Sequence, residues 1–274
     1  MSIYTFSHEA MLTTFTLRIR DEKAEEAAGV ARECFDHLDY LENKLSRYIE
    51  GSDVWQINNM EEGDSLFISE ACHECLRSSM LANEQTGGLF DITLGRQIEH
   101  LKNQVVGASP ARAGQLVIDP DRPLVQCVEP GREIDLGGIG KGYALDRMKR
   151  LLEDWGIGSA LLAAGASTHL VHGIGCWEIE LRGDSGSTTI ELEKGALSAS
   201  GTAMQGSHIV SPFMEERGYP FKRIWITNTN AALSDAWSTA LMLVPREEIR
   251  QLDLGGERSF VETAEGDVVP VWGA

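Results

Sequence analysis

Asp135-Leu-Gly-Gly-Ile-Gly-Lys-Gly-Tyr-Ala-Leu-Asp146 is the stretch on which the reading of this chain turns. Residues 133–136 have strand character, four glycines follow within seven residues, and residues 140–155 carry a helical pattern closed by Gly156. Backbone N–H groups at a helix start attract phosphate, and Lys141 adds a positive charge there. Glycines let a ligand come close to the main chain. The order is neither the G-x-x-x-x-G-K-[ST] of a Walker A loop nor the G-x-G-x-x-G of a dinucleotide-binding turn. Two readings stay open on these residues alone: an anion-binding bend, or a plain strand–turn–helix connection.

Upstream of the bend, residues 11–20 alternate with β-branched residues and read as a strand. Ala28, Ala31, Phe35, Leu38, Leu41 and Leu45 recur at helical spacing and predict one long amphipathic helix over residues 21–45. Ser52 and Ser69 stand where N-caps of two further helices belong, over residues 52–58 and 69–86, the second stopped by Gly87-Gly88. Residues 115–119 read as a strand. Downstream, strand candidates crowd together at residues 159–164, 168–171, 177–182, 188–193, 196–200, 207–210 and 223–227. A helix follows from Ser234 to about Val244, and residues 259–263 and 268–272 predict a closing hairpin. Helical and strand blocks mix without regular βαβ alternation. The fold expected is therefore α+β: one domain over residues 1–274, a largely antiparallel sheet with flanking helices, and room for two sub-lobes.

Composition narrows the function. The net charge of −18 repels nucleic acid and anionic lipid, so neither is an expected partner. An anionic ligand would need local help from a metal, backbone amides or a few lysines. No run of roughly 18 apolar residues is present to span a membrane, and residues 1–11 lack the basic and apolar regions of an export signal. The expected location is the cytoplasm, with export the alternative if a leader has been trimmed away. Five cysteines, an odd number, argue against a disulfide framework. Cys72 and Cys75 form one isolated C-x-x-C, read as ordinary helix cysteines in preference to a metal or redox pair.

Three other segments bear chemistry. In Ser234-Asp235-Ala-Trp-Ser238-Thr239, Asp235 and Thr239 share a helical face and could offer oxygens to a hard cation such as Mg²⁺; the alternative is an N-cap followed by packing residues. His208, in Ser207-His208-Ile209-Val210, could move a proton at neutral pH, or could be an ordinary core or surface histidine. Asp91, in Gly88-Leu-Phe-Asp91-Ile-Thr93, could cap a helix beginning near Thr93 or bind a ligand.

Taken in order, these segments resemble the ApbE family of FAD:protein FMN transferases. Met11-Leu-Thr-Thr-Phe is similar to the family's M-G-T-x-F, and Ser46-Arg-Tyr48 with residues 52–58 to S-x-Y…S-x-[IV]-x-x-[IL]-N. Residues 88–93 resemble G-x-F-D-P-T, and residues 135–146 resemble D-L-[SG]-[AG]-[IV]-[AG]-K-G-Y-x-x-D. Ser200-Gly201 with His208-Ile209 resembles S-G…H-I-x-D-P, and residues 235–240 resemble D-A-x-[SA]-T-A. The resemblance implies an FAD site lined by Met11, Tyr48, Leu89, Phe90, Asp91, Asp135, Lys141 and Ile209. It implies Mg²⁺ held by the Gly138 carbonyl, Asp235, Ser238 through its main chain, and Thr239, with His208 as the acid–base residue. The implied activity is Mg²⁺-dependent transfer of FMN from FAD to a Thr or Ser of an acceptor flavoprotein, releasing AMP. The alternatives are an FAD-binding or storage protein without that chemistry, and an FAD pyrophosphatase giving FMN and AMP. Three positions depart from the pattern: Leu12 replaces the Gly of M-G-T, Ala164-Gly-Ala-Ser167 replaces x-G-G-[DN], and Ser211-Pro-Phe-Met-Glu215 replaces D-P-x-T-G.

Overall fold

In the computed structural model, which describes residues 2–105, 107–202, 209–213, 219–252, 254 and 257–271, the strand-rich C-terminal half builds most of one large sheet. The strands are β1 (Ile3–Ala10), β2 (Thr13–Arg20), β3 (Ser65–Phe67), β4 (Gln115–Ile118), β5 (Leu124–Glu129), β6 (Ser159–Ala164), β7 (Thr168–Gly173), β8 (Trp177–Arg182), β9 (Ser187–Leu192), β10 (Gly195–Gly201), β11 (Arg223–Asn228), β12 (Ser259–Glu262) and β13 (Val268–Pro270). The helices are α1 (Ala24–Leu45), α2 (Asp53–Asn58), α3 (Glu70–Gln85), α4 (Gly95–Lys102), α5 (Gly140–Asp154), α6 (Ala231–Leu241) and α7 (Arg246–Ile249). The eight-stranded sheet runs β1-β2-β6-β7-β10-β11-β12-β13 with every neighbouring pair antiparallel. A three-stranded sheet (β3-β5-β4) and the β8–β9 hairpin complete it. The α+β expectation therefore holds.

Both faces of the central strands are covered, which is why β6 reads Ser-Ala-Leu-Leu-Ala-Ala with hardly a polar residue. One face presents Phe15, Leu17, Ile19, Leu162, Leu170, Ile224 and Ile226 to α1, α5 and α6. The other presents Leu161, Val171, Leu197, Trp225 and Phe260 to Trp177, Ile179, Leu181, Ile190 and Leu192 of the hairpin. Each fully buried large side chain contributes roughly 1.5–3 kcal/mol. The buried stripe of α1 is Ala27, Val30, Ala31, Cys34, Leu38, Leu41 and Leu45, with Ala28 and Phe35 at its margin. Ser52 and Ser69 cap as expected, accepting from the amides of Trp55 and Cys72. Cys72 and Cys75 are fully buried, and burial pushes both thiols above their ordinary pKa, so neither is a ready thiolate.

Four expectations need correcting. Residues 133–136 make no ladder beyond a single bridge from Glu133 to Leu94. Asn58 supplies the bonds a neighbouring strand would have made: its Oδ1 accepts from the Ile134 amide at 2.7 Å and its Nδ2 donates to the Ile134 carbonyl at 2.9 Å. Helix α6 begins at Ala231, earlier than Ser234, because Asn230 caps it through the Leu233 amide. Ile209 and Val210 lie outside any strand, and residues 207–208 of that segment are outside the described residues. Met11 sits in a turn, not in the strand. Ala10 pairs with Thr13, leaving Met11 and Leu12 as a two-residue hairpin loop with φ of 49° and 59°.

A left-handed backbone costs an L-residue about 1–2 kcal/mol, which glycine avoids. Leu12 is 97% exposed and has no packing to offset that strain. Leu12→Gly is expected to raise stability by about 0.5–1 kcal/mol after glycine's greater unfolded-state entropy is subtracted. A thermal melt with an unchanged or lower midpoint would show that the turn is not strained.

Candidate functional site

The glycine-rich bend lies against α6. A Cβ added at Gly138 would stand 3.0 Å from the Phe90 ring and 3.1 Å from Thr239 Oγ1, so this residue is wedged between the two. Lys141 Nζ lies 3.7 Å from Asp235 Oδ2 and donates to the Gly137 carbonyl at 3.2 Å. Asp235 is buried, 3% exposed, and its Oδ2 accepts from the Gly142 amide at 3.2 Å. Ser238 and Thr239 hydroxyls both donate to the Asp235 carbonyl, and Ser200 Oγ is 2.8 Å from Ser238 Oγ and 3.3 Å from Thr239 Oγ1. Bend and helix, distant in sequence, thus form one cluster of oxygens with one lysine beside it.

One turn of α5 makes this possible. A Cβ on Gly142 would come 2.1 Å from the Ala231 carbonyl, so only a bare Cα lets α5 and α6 cross so closely. Asp146, one turn on, accepts from the Ala231 and Ala232 amides at 2.9 and 2.8 Å and so holds the first turn of α6. Burial raises the Asp146 pKa, and the two amide bonds oppose that rise. The final Asp of the K-G-Y-x-x-D pattern is therefore a helix clamp. Of the first α5 amides, Gly140 and Gly142 are already bonded, to the Leu136 carbonyl and to Asp235. The helix start is thus a weaker phosphate cradle than its glycines suggested.

The residues expected to line a flavin dinucleotide surround this cluster in part. Asp135 is 7% exposed; its Oδ1 accepts from the Gly137 amide at 2.8 Å, and its Oδ2 lies 3.2 Å from Arg47 Nη1 and 3.8 Å from Lys102 Nζ. Tyr48 is 58% exposed, its hydroxyl donating to Glu99 at 3.0 Å and accepting from Lys102 at 3.4 Å. Phe90 is buried against Gly138 and Leu89 is half-buried. Asp91 does not cap α4, which begins at Gly95 after Leu94. Its Oδ1 accepts from the Thr93 amide and hydroxyl, and its Oδ2 pairs with Arg112. A ligand at this loop would therefore meet backbone before carboxylate. Met11 donates its amide to Glu42 Oε1 at 2.7 Å. Ile209 is buried, its carbonyl accepting from Tyr219 at 2.7 Å. His208 lies outside the described residues.

The departures from the family pattern also have places. Gly165, in the β6–β7 turn, has φ 56° and donates to the Thr14 carbonyl, so the altered 164–167 turn abuts the Met11–Leu12 hairpin. Phe213 of the altered 211–215 turn packs on Gly88, and Arg112 joins the Pro212 carbonyl to Asp91. Residues given no site role from sequence are Arg47, Glu99, Lys102, Arg112 and Ser200, the last of these already part of the Ser200-Gly201 motif. Arg47 and Lys102 lie beside Asp135, Arg112 beside Asp91 and Lys141 beside Asp235, so the carboxylates of this region are each matched by a cation.

Among the described residues no three His, Cys, Asp or Glu side chains form a metal cluster. One buried carboxylate with hydroxyl and carbonyl oxygens is instead the donor set of a hard cation that keeps water or phosphate partners. The residues present fit Mg²⁺ on that ground. Ser238 Oγ is fully buried and already engaged with Ser200 and the Asp235 carbonyl, which leaves its main chain as the available donor. A cleft of about 620 Å³ between α3, α5 and the start of α6 contains none of the expected site residues.

This is an α+β fold with an oxygen-rich, lysine-flanked cluster suited to a cation and a phosphate. Residues 11–254 match the model of the ApbE family, and the chain belongs to that family. The FAD:protein FMN transferase of Escherichia coli K12 is 23% identical over 91% of this chain and 81% of its own length. That of Salmonella typhimurium is 23% identical over 96% and 85%. The crystal structure of the ApbE protein of Thermotoga maritima superposes with a TM-score of 0.81 at 22% identity, covering 98% of this chain and 97% of that one. The flavin transferase ApbE of Vibrio cholerae gives 0.79 at 18%, with the same coverage. Among the described residues no helix is long and apolar enough to cross a membrane.

Proposed function

We propose that this protein transfers the FMN half of FAD to a Thr or Ser hydroxyl of an acceptor flavoprotein and releases AMP. The observation that carries it is the meeting of Asp235 and Thr239 with the Gly138 bend and Lys141, in a chain whose curated relatives are named for that reaction. Asp235, Thr239 and the main-chain oxygens of Gly138 and Ser238 would hold Mg²⁺, which when bound neutralises charge developing on the diphosphate. Lys141 stands ready to pair with a phosphate oxygen while keeping Asp235 company at 3.7 Å. Tyr48, Asp135, Met11, Ile209 and the 89–91 loop would hold and orient the dinucleotide.

The acceptor oxygen bonds to the FMN-side phosphorus as the bond from that phosphorus to the bridging oxygen breaks. AMP leaves with the electron pair. The hydroxyl proton goes to His208, assigned that role by its motif. Water in place of the hydroxyl gives FMN and AMP.

The test is incubation of the pure protein with FAD and Mg²⁺, with and without a Thr-bearing acceptor, following AMP by chromatography and the acceptor's mass. A covalent FMN adduct supports transfer. AMP without adduct would make the protein a pyrophosphatase, and tight FAD binding without AMP a carrier. His208→Ala is expected to leave FAD bound and slow transfer by about 10²–10⁴-fold. Unchanged rates would remove His208 from the reaction.

A further inference from the structure

We propose that Arg47 is a positioning residue for dinucleotide binding: a single buried guanidinium that aims Asp135 and Tyr48 together. The inference rests on the FMN-transfer reading, since it is through that reading that Asp135 and Tyr48 touch FAD. The family pattern S-x-Y leaves this position open, so the resemblance gives it no role.

The Arg47 side chain is 10% exposed and reaches three segments at once. Nη1 donates to the Gly95 carbonyl at 2.8 Å and lies 3.2 Å from Asp135 Oδ2, while Nη2 pairs with Glu133 Oε2 at 2.6 Å. The guanidinium carbon is 5.6 Å from the centre of the Tyr48 ring. A Cβ on Gly95 would fall 2.8 Å from Nη1, so the start of α4 is shaped around this group. Asp135 is thereby gripped from two sides. Its Oδ1 is fixed by the Gly137 amide of the bend and its Oδ2 by Arg47, which sets the carboxylate's rotation. The planar fork is what serves here, because a lysine ammonium cannot bond Glu133, Gly95 and Asp135 in one plane. Lys102 also approaches Asp135, but at 3.8 Å and from a more exposed position.

The experiment compares the full chain with Arg47→Lys, Asp135→Asn and the double variant. It reads the thermal midpoint, the FAD Kd by flavin fluorescence, and kcat and KM for AMP release. Arg47→Lys is expected to melt within a few degrees of the parent. It should weaken FAD binding by about 10-fold or more, in Kd and KM alike, with kcat changed far less. In the Asp135→Asn background the same change should cost clearly less than it does alone, leaving only the share that runs through Tyr48. A folded Arg47→Lys that binds FAD like the parent would overturn the proposal, as would effects of the two single variants that simply multiply. A midpoint lowered by more than about 10 °C, which a loss of several kcal/mol would produce, would also overturn it by making Arg47 a structural residue. Parent protein that binds FAD without releasing AMP would sink the transfer chemistry while leaving the Kd comparison valid.

Discussion

Asp235→Ala is expected to abolish AMP release from FAD even with Mg²⁺ in large excess, and Asp235→Asn to lower it by about 10³-fold. Among the described residues, the Asp235 carboxylate is the acidic side chain of a cluster otherwise made of hydroxyls, carbonyls and Lys141, so it would supply the charge that attracts a divalent ion. Removing a single preorganised electrostatic contact of this kind typically costs 10²–10³-fold, or roughly 3–4 kcal/mol of barrier. Weakened ion binding adds to that. Asparagine separates charge from packing. Its carbonyl can still accept from the Gly142 amide, which now bonds Asp235 Oδ2 at 3.2 Å, so the crossing of α5 and α6 keeps its link. Asp235→Asn should therefore melt within a few degrees of the parent while turning over about 10³-fold more slowly. A folded Asp235→Asn protein with more than a tenth of parental activity would mean that the cation sits elsewhere or is not needed.

Much of this arrangement is visible in the sequence because it is local. Residues 177–182 alternate Trp, Ile and Leu with charged residues, and residues 159–164 are a short apolar run between Gly158 and Gly165; both are strands at those residues. Ser52 and Ser69 cap helices through amides three residues on, a distance that sequence spacing covers. What escaped depends on partners far along the chain. Residues 133–136 have strand character, but Ile134 bonds Asn58 while Glu133 and Asp135 bond Gly95 and Ile92, partners that no local pattern announces. Ser234-Asp235 reads as a capping pair, which puts the expected start of α6 at Ser234. The actual cap, Asn230, stands three residues before Leu233 and was there to be read. Strand β1 alternates weakly, since as an edge strand it exposes Ile3, Thr5, Ser7 and Glu9 and only half-buries Tyr4 and Phe6.

The candidate site divides in the same way. Motif residues such as Lys141 and Asp235 can be named from resemblance, and the fold brings them together. Their supports could not be so named. Arg47 lies 88 residues from Asp135, and Arg112 lies 21 residues from Asp91. An isolated arginine in an acidic chain looks like a solvated surface charge until the fold supplies its partners. Conversely, Asp146 carries the resemblance as strongly as Lys141 does, yet its bonds to Ala231 and Ala232 make it a clamp on α6.

That clamp makes Gly142 a sensitive position beside the proposed cation ligands. Gly142→Ala places a methyl group 2.1 Å from the Ala231 carbonyl oxygen and 2.5 Å from its carbon, far inside contact distance and against backbone that cannot rotate away. Relief requires α5 and α6 to separate. Separation lengthens the Gly142-to-Asp235 bond and both Asp146 bonds to the α6 amides. Overpacking of a buried contact costs about 1–3 kcal/mol, and a strained or broken buried hydrogen bond adds about 1 kcal/mol or more. A loss near 3 kcal/mol would lower the melting midpoint by about 6–12 °C in a protein of this size. The helical propensity of alanine, worth about 1 kcal/mol over glycine, works in the opposite direction and is too small to rescue the fold. Activity should fall further than stability, because the displaced helix carries Asp235 and Thr239 away from Gly138 and Lys141. Far-ultraviolet circular dichroism and AMP release measured at 15 °C, well below the lowered midpoint, separate the two effects. Gly140→Ala serves as the comparison, since a Cβ there would meet only Leu136 Cβ at 3.9 Å. If Gly142→Ala melts like Gly140→Ala, the close crossing of α5 and α6 is not what positions Asp235 and Thr239 against Gly138.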